Sequence, residues 1–293
     1  MDLRSAVEQA CERFKDRILD PCSGVVIPDT EEELNWHAFL AHSLDMQGFR
    51  ADWFVGKQRN PNWPEFKTLY DRGIGVQQLA SLWEIEPIRA ALSRPRDHRL
   101  TSVEPALVLL ESHGGQVGLS LADAFRTARM RKNILTIRGY LQNSRRLKEH
   151  GYSFRRYLQA IVAQLDPDAE FPPRNFMKPV LWKGQDATIE CALARQLECD
   201  FYGVGPEIAP YMLCDWMLGL WRDNKTGMFE SFKWDSRNVA FCKAHGEQIQ
   251  SKTDFLRWYR AQGFGYPVRV VNEAIWFARE PEKKSESCTQ RSP

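Results

Sequence analysis

The chain has 293 residues, 43% of them hydrophobic, with ten Trp and sixteen Phe, and its formal net charge is +2. That content supports a large core and excludes an intrinsically disordered chain, and no apolar run approaches the roughly 18 residues that crossing a bilayer requires. Seven scattered cysteines (Cys11, Cys22, Cys191, Cys199, Cys214, Cys242, Cys288) without a Cys-x-x-Cys pair offer neither a disulfide framework nor a zinc site, so reduced thiols and a cytoplasmic setting are expected.

In chain order, the first 18 residues are charged and amphipathic, unlike a secretion signal. Thr30 followed by Glu33 predicts a capping box, after which Leu34, Ala38, Ala41 and Leu44 recur at helical spacing. His37, His42 and Asp45 on that helix are candidates for lining a pocket. Residues 53–63, WFVGKQRNPNW, predict an aromatic-flanked loop whose Lys57 and Arg59 suit a DNA groove or a phosphate. Residues 76–92 predict two short helices around Pro87, and further helices are expected over 103–112, over 121–148 with a break near Gly139, and over 153–165. The Pro-rich stretch 166–179 predicts a loop, and a last helix is expected over 270–280. Strand-like alternation is scarce. The predicted fold class is all-α, a single helical domain over 1–280, either one extended core or two closely joined lobes, with a polar, disordered tail over 281–293.

Charge is unevenly spread. Residues 126–156 hold ten basic side chains (Arg126, Arg129, Arg131, Lys132, Arg138, Arg145, Arg146, Lys148, Arg155, Arg156) against one acid, Glu149. Such a run attracts a polyanion, and its plainer explanation is a solvated helix face.

The most informative segment is 186–246. Ile189, Ala192, Leu193 and Leu197 mark one face of a helix, followed by Phe201-Tyr202-Gly203-Val204-Gly205-Pro206-Glu207-Ile208-Ala209. Helix, Gly-x-Gly-Pro, helix predicts a tight hairpin. The glycines permit positive φ and close approach of another molecule, Pro206 suits a first helical position, and the start of the second helix suits a phosphate. No Lys-Ser/Thr pair follows the glycines, which sets the segment apart from a nucleotide-hydrolase phosphate loop.

These residues resemble the helix-hairpin-helix DNA glycosylase superfamily, whose signature is Leu-Pro-Gly-Val/Ile-Gly-x-x-Thr/Ser-Ala. Gly203, Val204, Gly205 and Ala209 match it, while Phe201-Tyr202 replaces Leu-Pro and Ile208 replaces the hydroxyl residue. Downstream, residues 234–246, WDSRNVAFCKAHG, have the cadence of the family's catalytic segment, so the resemblance implies Asp235 as the carboxylate that stabilises a cationic sugar. Asp235 also reads as an ordinary helix cap. It lies 30 residues after Gly205, so 222–232 reads as an insertion, and Asp223, nearer the family's spacing, is the alternative. Lyase-active members carry a lysine where this chain has Glu207, so the resemblance implies hydrolytic base removal without lyase activity, and no iron–sulfur cluster or other metal or cofactor.

A narrower likeness covers residues 203–216, which are similar to the helical domains of the α-glutamyl/putrescinyl thymine pyrophosphorylase and 5-hydroxymethyluracil DNA kinase clade. It adds Asp215 as a candidate and implies excision of bulky, hypermodified phage bases, with antiviral defence as a setting; Pro210 is expected to disturb the helix. Gly203 and Gly205 of the hairpin, Arg145 and Arg146 of the basic run, and Lys57 and Arg59 of the 53–63 loop are the expected contacts to double-stranded DNA with its base flipped out, and the aromatics around the site, Tyr211, Trp216 and Trp234, are candidates to wall the base pocket. A monomer is expected. The alternatives are a non-catalytic helix-hairpin-helix module, or a nucleoside or queuosine-type salvage hydrolase on the same scaffold.

Overall fold

The computed structural model describes residues 1–19, 28, 30–44, 51–56, 62–93, 103–129 and 133–278. Asp45, Lys57, Arg59, Arg131, Lys132 and the tail over 281–293 lie outside them. Among the described residues the chain is mostly helical, with fourteen α-helices and one two-stranded sheet, as the all-α expectation has it at the level of class. None of these helices is long and apolar enough to cross a membrane. Backbone contacts divide the chain into two compact units, residues 1–25 with 232–293, and residues 26–231.

The first unit opens with α1 (Leu3–Leu19), which buries Leu3, Ala6, Val7, Ala10, Cys11 and Ile18 along one face. The second unit begins where the sequence predicts a cap. Thr30 accepts from the Glu33 amide and Glu33 accepts from the Thr30 amide, starting α2 (Glu31–Glu33). The backbone then widens into a π-helix over Leu34–Leu40, and Leu34, Ala38, Ala41 and Leu44 are all buried. After α3 (Ala51–Val55), the two expected short helices are α4 (Val76–Trp83) and α5 (Glu86–Ser93), and Pro87 lies in the first turn of the latter.

Next come α6 (Glu104–His113), α7 (Gly115–Thr127) and α8 (Ile134–Arg146). The expected break at Gly139 is absent: the helices part after Thr127, and Gly139 sits inside α8. A Cβ there would lie 2.5 Å from Leu44 Cδ2, so the glycine is a spacer for close packing. Ser153 caps α9 (Phe154–Leu165). Past the expected loop, β1 (Pro179–Trp182) and β2 (Gln185–Thr188) pair antiparallel, Pro179 opposite Thr188. Lys183 and Gly184 close this hairpin with φ of 49° and 79°, as a two-residue turn between right-twisted strands requires.

Thr188 caps α10 (Ile189–Asp200), which leads through residues 201–207 into α11 (Ile208–Arg222). Every residue of α11 from Met212 to Leu220 is buried, which makes it the central helix of its unit. Pro210 falls in its first turn, where a missing N–H costs no intrahelical bond, contrary to the disturbance expected of it. The first unit then resumes with α12 (Ser236–Ala244), α13 (Lys252–Gln262) and α14 (Val268–Phe277). Gly246, at φ 85°, ends α12: its amide bonds the Lys243 carbonyl while the Glu247 amide bonds that of Cys242. Phe277 of α14 meets Phe14 of α1 at 5.8 Å, and the Arg17 guanidinium lies 4.0 Å from the same ring.

Candidate functional site

The hairpin between α10 and α11 is anchored from below and open above. Phe201 is buried, its ring 5.3 Å from Phe39 and 5.0 Å from Tyr157, and Val204 is also buried. Side chains of this size contribute about 1.5–3 kcal/mol each on burial, enough to seat the loop. Asn143 of α8 clamps it: Nδ2 donates to the Tyr202 carbonyl at 3.0 Å, and Oδ1 accepts from the Tyr202 amide at 2.7 Å. Gly203 takes φ 77°, where an L side chain is strained, whereas Gly205 does not require positive φ. Among the described residues, nothing beyond the adjoining backbone lies within 4 Å of a Cβ built at either glycine. The Gly205 carbonyl accepts from Ile208 and Ala209 at 3.0 and 2.9 Å, so the first turn of α11 winds from the loop itself.

The basic run borders this loop, yet acids from elsewhere in the sequence meet half of it. Arg126 pairs with Glu104 and Glu111, Arg129 with Glu65, Arg145 and Lys148 with Glu84, and Arg146 with Asp200. Arg138 instead lies 4.1 Å over the Tyr202 ring and donates to Gln142. Arg138, Gln142, Arg145 and Arg146 fall on one stripe of α8, and the last three help line a cleft of about 400 Å³ with Trp83, Cys199 and Asp200. Burial pushes the Asp200 carboxyl up, but bonds from Gln196, Tyr157 and Arg146 outweigh it and hold the group below its ordinary range. Burial, then the bond to Asp200, pushes the Tyr157 phenol up.

The three candidate carboxylates have different surroundings. Asp215 sits on α11 at 3% exposure, its Oδ2 3.2 Å from His42 Nε2, and the His42 ring is 3.9 Å from that of Tyr211. A buried carboxylate is tolerable only with such a partner. Asp223 stands at the exposed end of α11 between Arg222 and Lys225, and the Arg222 bond foremost lowers its pKa. Asp235, in the other unit, caps α12. Its Oδ1 accepts from the amides of Arg237 and Asn238 at 2.8 and 3.2 Å, while Oδ2 accepts no hydrogen bond among the described residues. Asn238 returns the contact to the Asp235 amide, and its own buried Nδ2 has no partner among the described residues.

Of the proposed base-pocket aromatics Trp216 is buried, while Tyr211 and Trp234 are half-buried. Trp216 is 3% exposed against Phe171 and Phe176, and Tyr211 is committed to His42. Trp234, beside Asp235, stacks on Phe255 at 4.6 Å and donates Nε1 to the Gln250 carbonyl. Sequence reasoning missed Asn143 as the hairpin's clamp, because an asparagine inside a basic helical run carries no signal of a contact 59 positions away. No family model, no curated protein and no solved structure matches the chain.

Proposed function

We propose that the chain is a DNA-binding protein of the helix-hairpin-helix glycosylase type, which removes a modified base with water and leaves an abasic site. The observation that supports this most is the hairpin: two helices joined through a glycine loop with open space where a side chain would stand at exposed Gly203 and half-buried Gly205. Phosphate oxygens can reach such a backbone, and Arg138 adds a cation beside Tyr202. Asp235 is our choice of carboxylate. One of its oxygens is fixed by helix amides and the other is available, whereas both oxygens of Asp223 meet cations and Asp215 is buried. Bond cleavage builds positive charge on the sugar, which a fixed anion stabilises. Glu207 supplies no amine for a Schiff base, so no strand nicking is expected. The partner would be duplex DNA with one base flipped out, bound by a monomer in the cytoplasm, and hypermodified phage bases are the substrate class that the sequence resemblance implies.

The test is a panel of duplexes carrying hydroxymethylcytosine, its glucosides or hydroxymethyluracil, assayed for alkali-labile sites. Abasic sites in modified but not plain duplexes support the proposal; binding without any abasic site supports a non-catalytic module instead. One observation favours a second reading. Since carboxylates engage five of the ten basic side chains, the field suits a small substrate as well, and release of base from free nucleosides identifies a salvage hydrolase.

A further inference from the structure

A cavity of about 580 Å³ lies in the larger unit, between the connection that precedes β1 and the segment that follows α11. Neither wall is helix or strand, yet both are fastened. The Gly227 amide donates to the Arg174 carbonyl at 2.7 Å. Farther along, buried Glu190 accepts from the Glu230 amide and from Ser231 Oγ, which commits a buried carboxylate to fixing the end of the segment.

The lining has a definite chemistry. Thr226 is nine-tenths buried, with its hydroxyl oxygen closed to solvent, so it lines the cavity by its other atoms. Arg174 and Lys225 bring two cations, Glu170 a carboxylate and Asn224 an amide. Each cation has an acidic neighbour, Glu170 at 2.9 Å from Arg174 and Asp223 at 3.4 Å from Lys225. Both pairs are solvent-exposed, so an anion can draw the cations inward at little cost. Phe171 forms an apolar wall, backed by Trp216 at 5.6 Å, and Arg155 lies 5.6 Å from its ring.

We propose that this cavity binds a free phosphate monoester carrying a planar group, of about the size of a mononucleotide. Guanidinium, ammonium and amide together match the oxygens of a phosphate, and Phe171 matches a planar ring. The volume exceeds what inorganic phosphate fills and falls within the range of small-ligand pockets. The proposal is independent of any cleavage of DNA.

Isothermal titration of the full chain with adenosine 5′-monophosphate and thymidine 5′-monophosphate tests it, with adenosine and inorganic phosphate as controls. At least one nucleotide is expected to bind at one site with submillimolar affinity, about tenfold or more tighter than either control. The double variant Arg174→Ala, Lys225→Ala removes two exposed side chains and is expected to weaken binding about tenfold or more. No binding at millimolar nucleotide overturns the proposal. So does unchanged affinity in the double variant, or inorganic phosphate binding as tightly as the nucleotides.

Discussion

Asn143 holds both backbone polar groups of Tyr202, donating to its carbonyl and accepting from its amide, and so ties the glycine loop to α8. Asn143→Ala leaves two backbone groups to find water, at a cost of about 1–3 kcal/mol. Lower thermal stability together with weaker DNA binding is expected. Asn143→Asp keeps the acceptor but sets a buried carboxylate oxygen against the Tyr202 carbonyl, and should be no milder than Asn143→Ala. Wild-type affinity in Asn143→Ala would mean that the loop's conformation does not govern binding.

Gly205 separates folding from binding more cleanly than Gly203. Among the described residues nothing beyond the adjoining backbone lies within 4 Å of a Cβ at Gly205, and its φ is not in the left-handed region, so Gly205→Val should fold normally. A branched side chain there stands where a phosphate would approach, and affinity for duplex DNA should fall about tenfold or more by electrophoretic shift or anisotropy. Unchanged affinity at unchanged melting temperature removes the hairpin from the binding surface.

Local rules made much of this architecture legible. The Thr30 and Glu33 cap, the paired short helices around Pro87 and the helix ending near Cys199 each rest on a few neighbouring residues, and each has a counterpart in the structure. What was hidden depends on distant partners. Gly139 reads as a breaker until Leu44 is seen against it. The run from Arg126 to Arg156 reads as nearly bare of acid because Glu65, Glu84, Glu104, Glu111 and Asp200 lie outside it. The strand hairpin is too short for alternation to emerge, and its one signal was Lys183-Gly184. For the site, the loop is written in the sequence, whereas the contrast among Asp215, Asp223 and Asp235 arises only from burial and neighbours.

Arg138 is the cation by which to measure phosphate contact, since it has no carboxylate partner among the described residues. Arg138→Ala should weaken binding to all DNA sequences about equally and reduce the slope of log affinity against log salt by about one. Reversing Arg145 and Arg146 to Glu should weaken binding too, but it also breaks the contacts with Glu84 and Asp200 and lowers stability. A slope unaltered in Arg138→Ala would leave the stripe on α8 as a solvated face.

Asp200 gives the fold an acid-sensitive contact. Its folded pKa is held below the ordinary aspartate value of 3.8, since bonds from Gln196, Tyr157 and Arg146 outweigh burial. A depressed carboxyl contributes stability that is fully present above the unfolded value and disappears as pH falls through the folded one. Asp200→Asn should therefore lower the denaturation midpoint at pH 7, and the gap to wild type should narrow steadily below about pH 4. A gap of constant size down to pH 2 would show that the carboxylate's charge is not what these bonds stabilise.

Asp235 bears the enzymatic proposal. Asp235→Asn preserves size and an oxygen for capping, so α12 should keep most of its stability, and only the negative charge is lost. Ground-state DNA binding does not draw on that charge, whereas a cationic sugar in the transition state does. Excision of the modified base should fall on the order of 10²-fold or more while duplex affinity remains near wild type. Glu207→Gln should be mild, because no lyase chemistry depends on that side chain. If Asp235→Asn retains full activity while Asp223→Asn or Asp215→Asn is inactive, the catalytic carboxylate belongs to α11 and the correspondence drawn across residues 222–232 is wrong. If all three variants excise at the wild-type rate, no carboxylate of this set stabilises the sugar, and base removal by this chain must work without one of them.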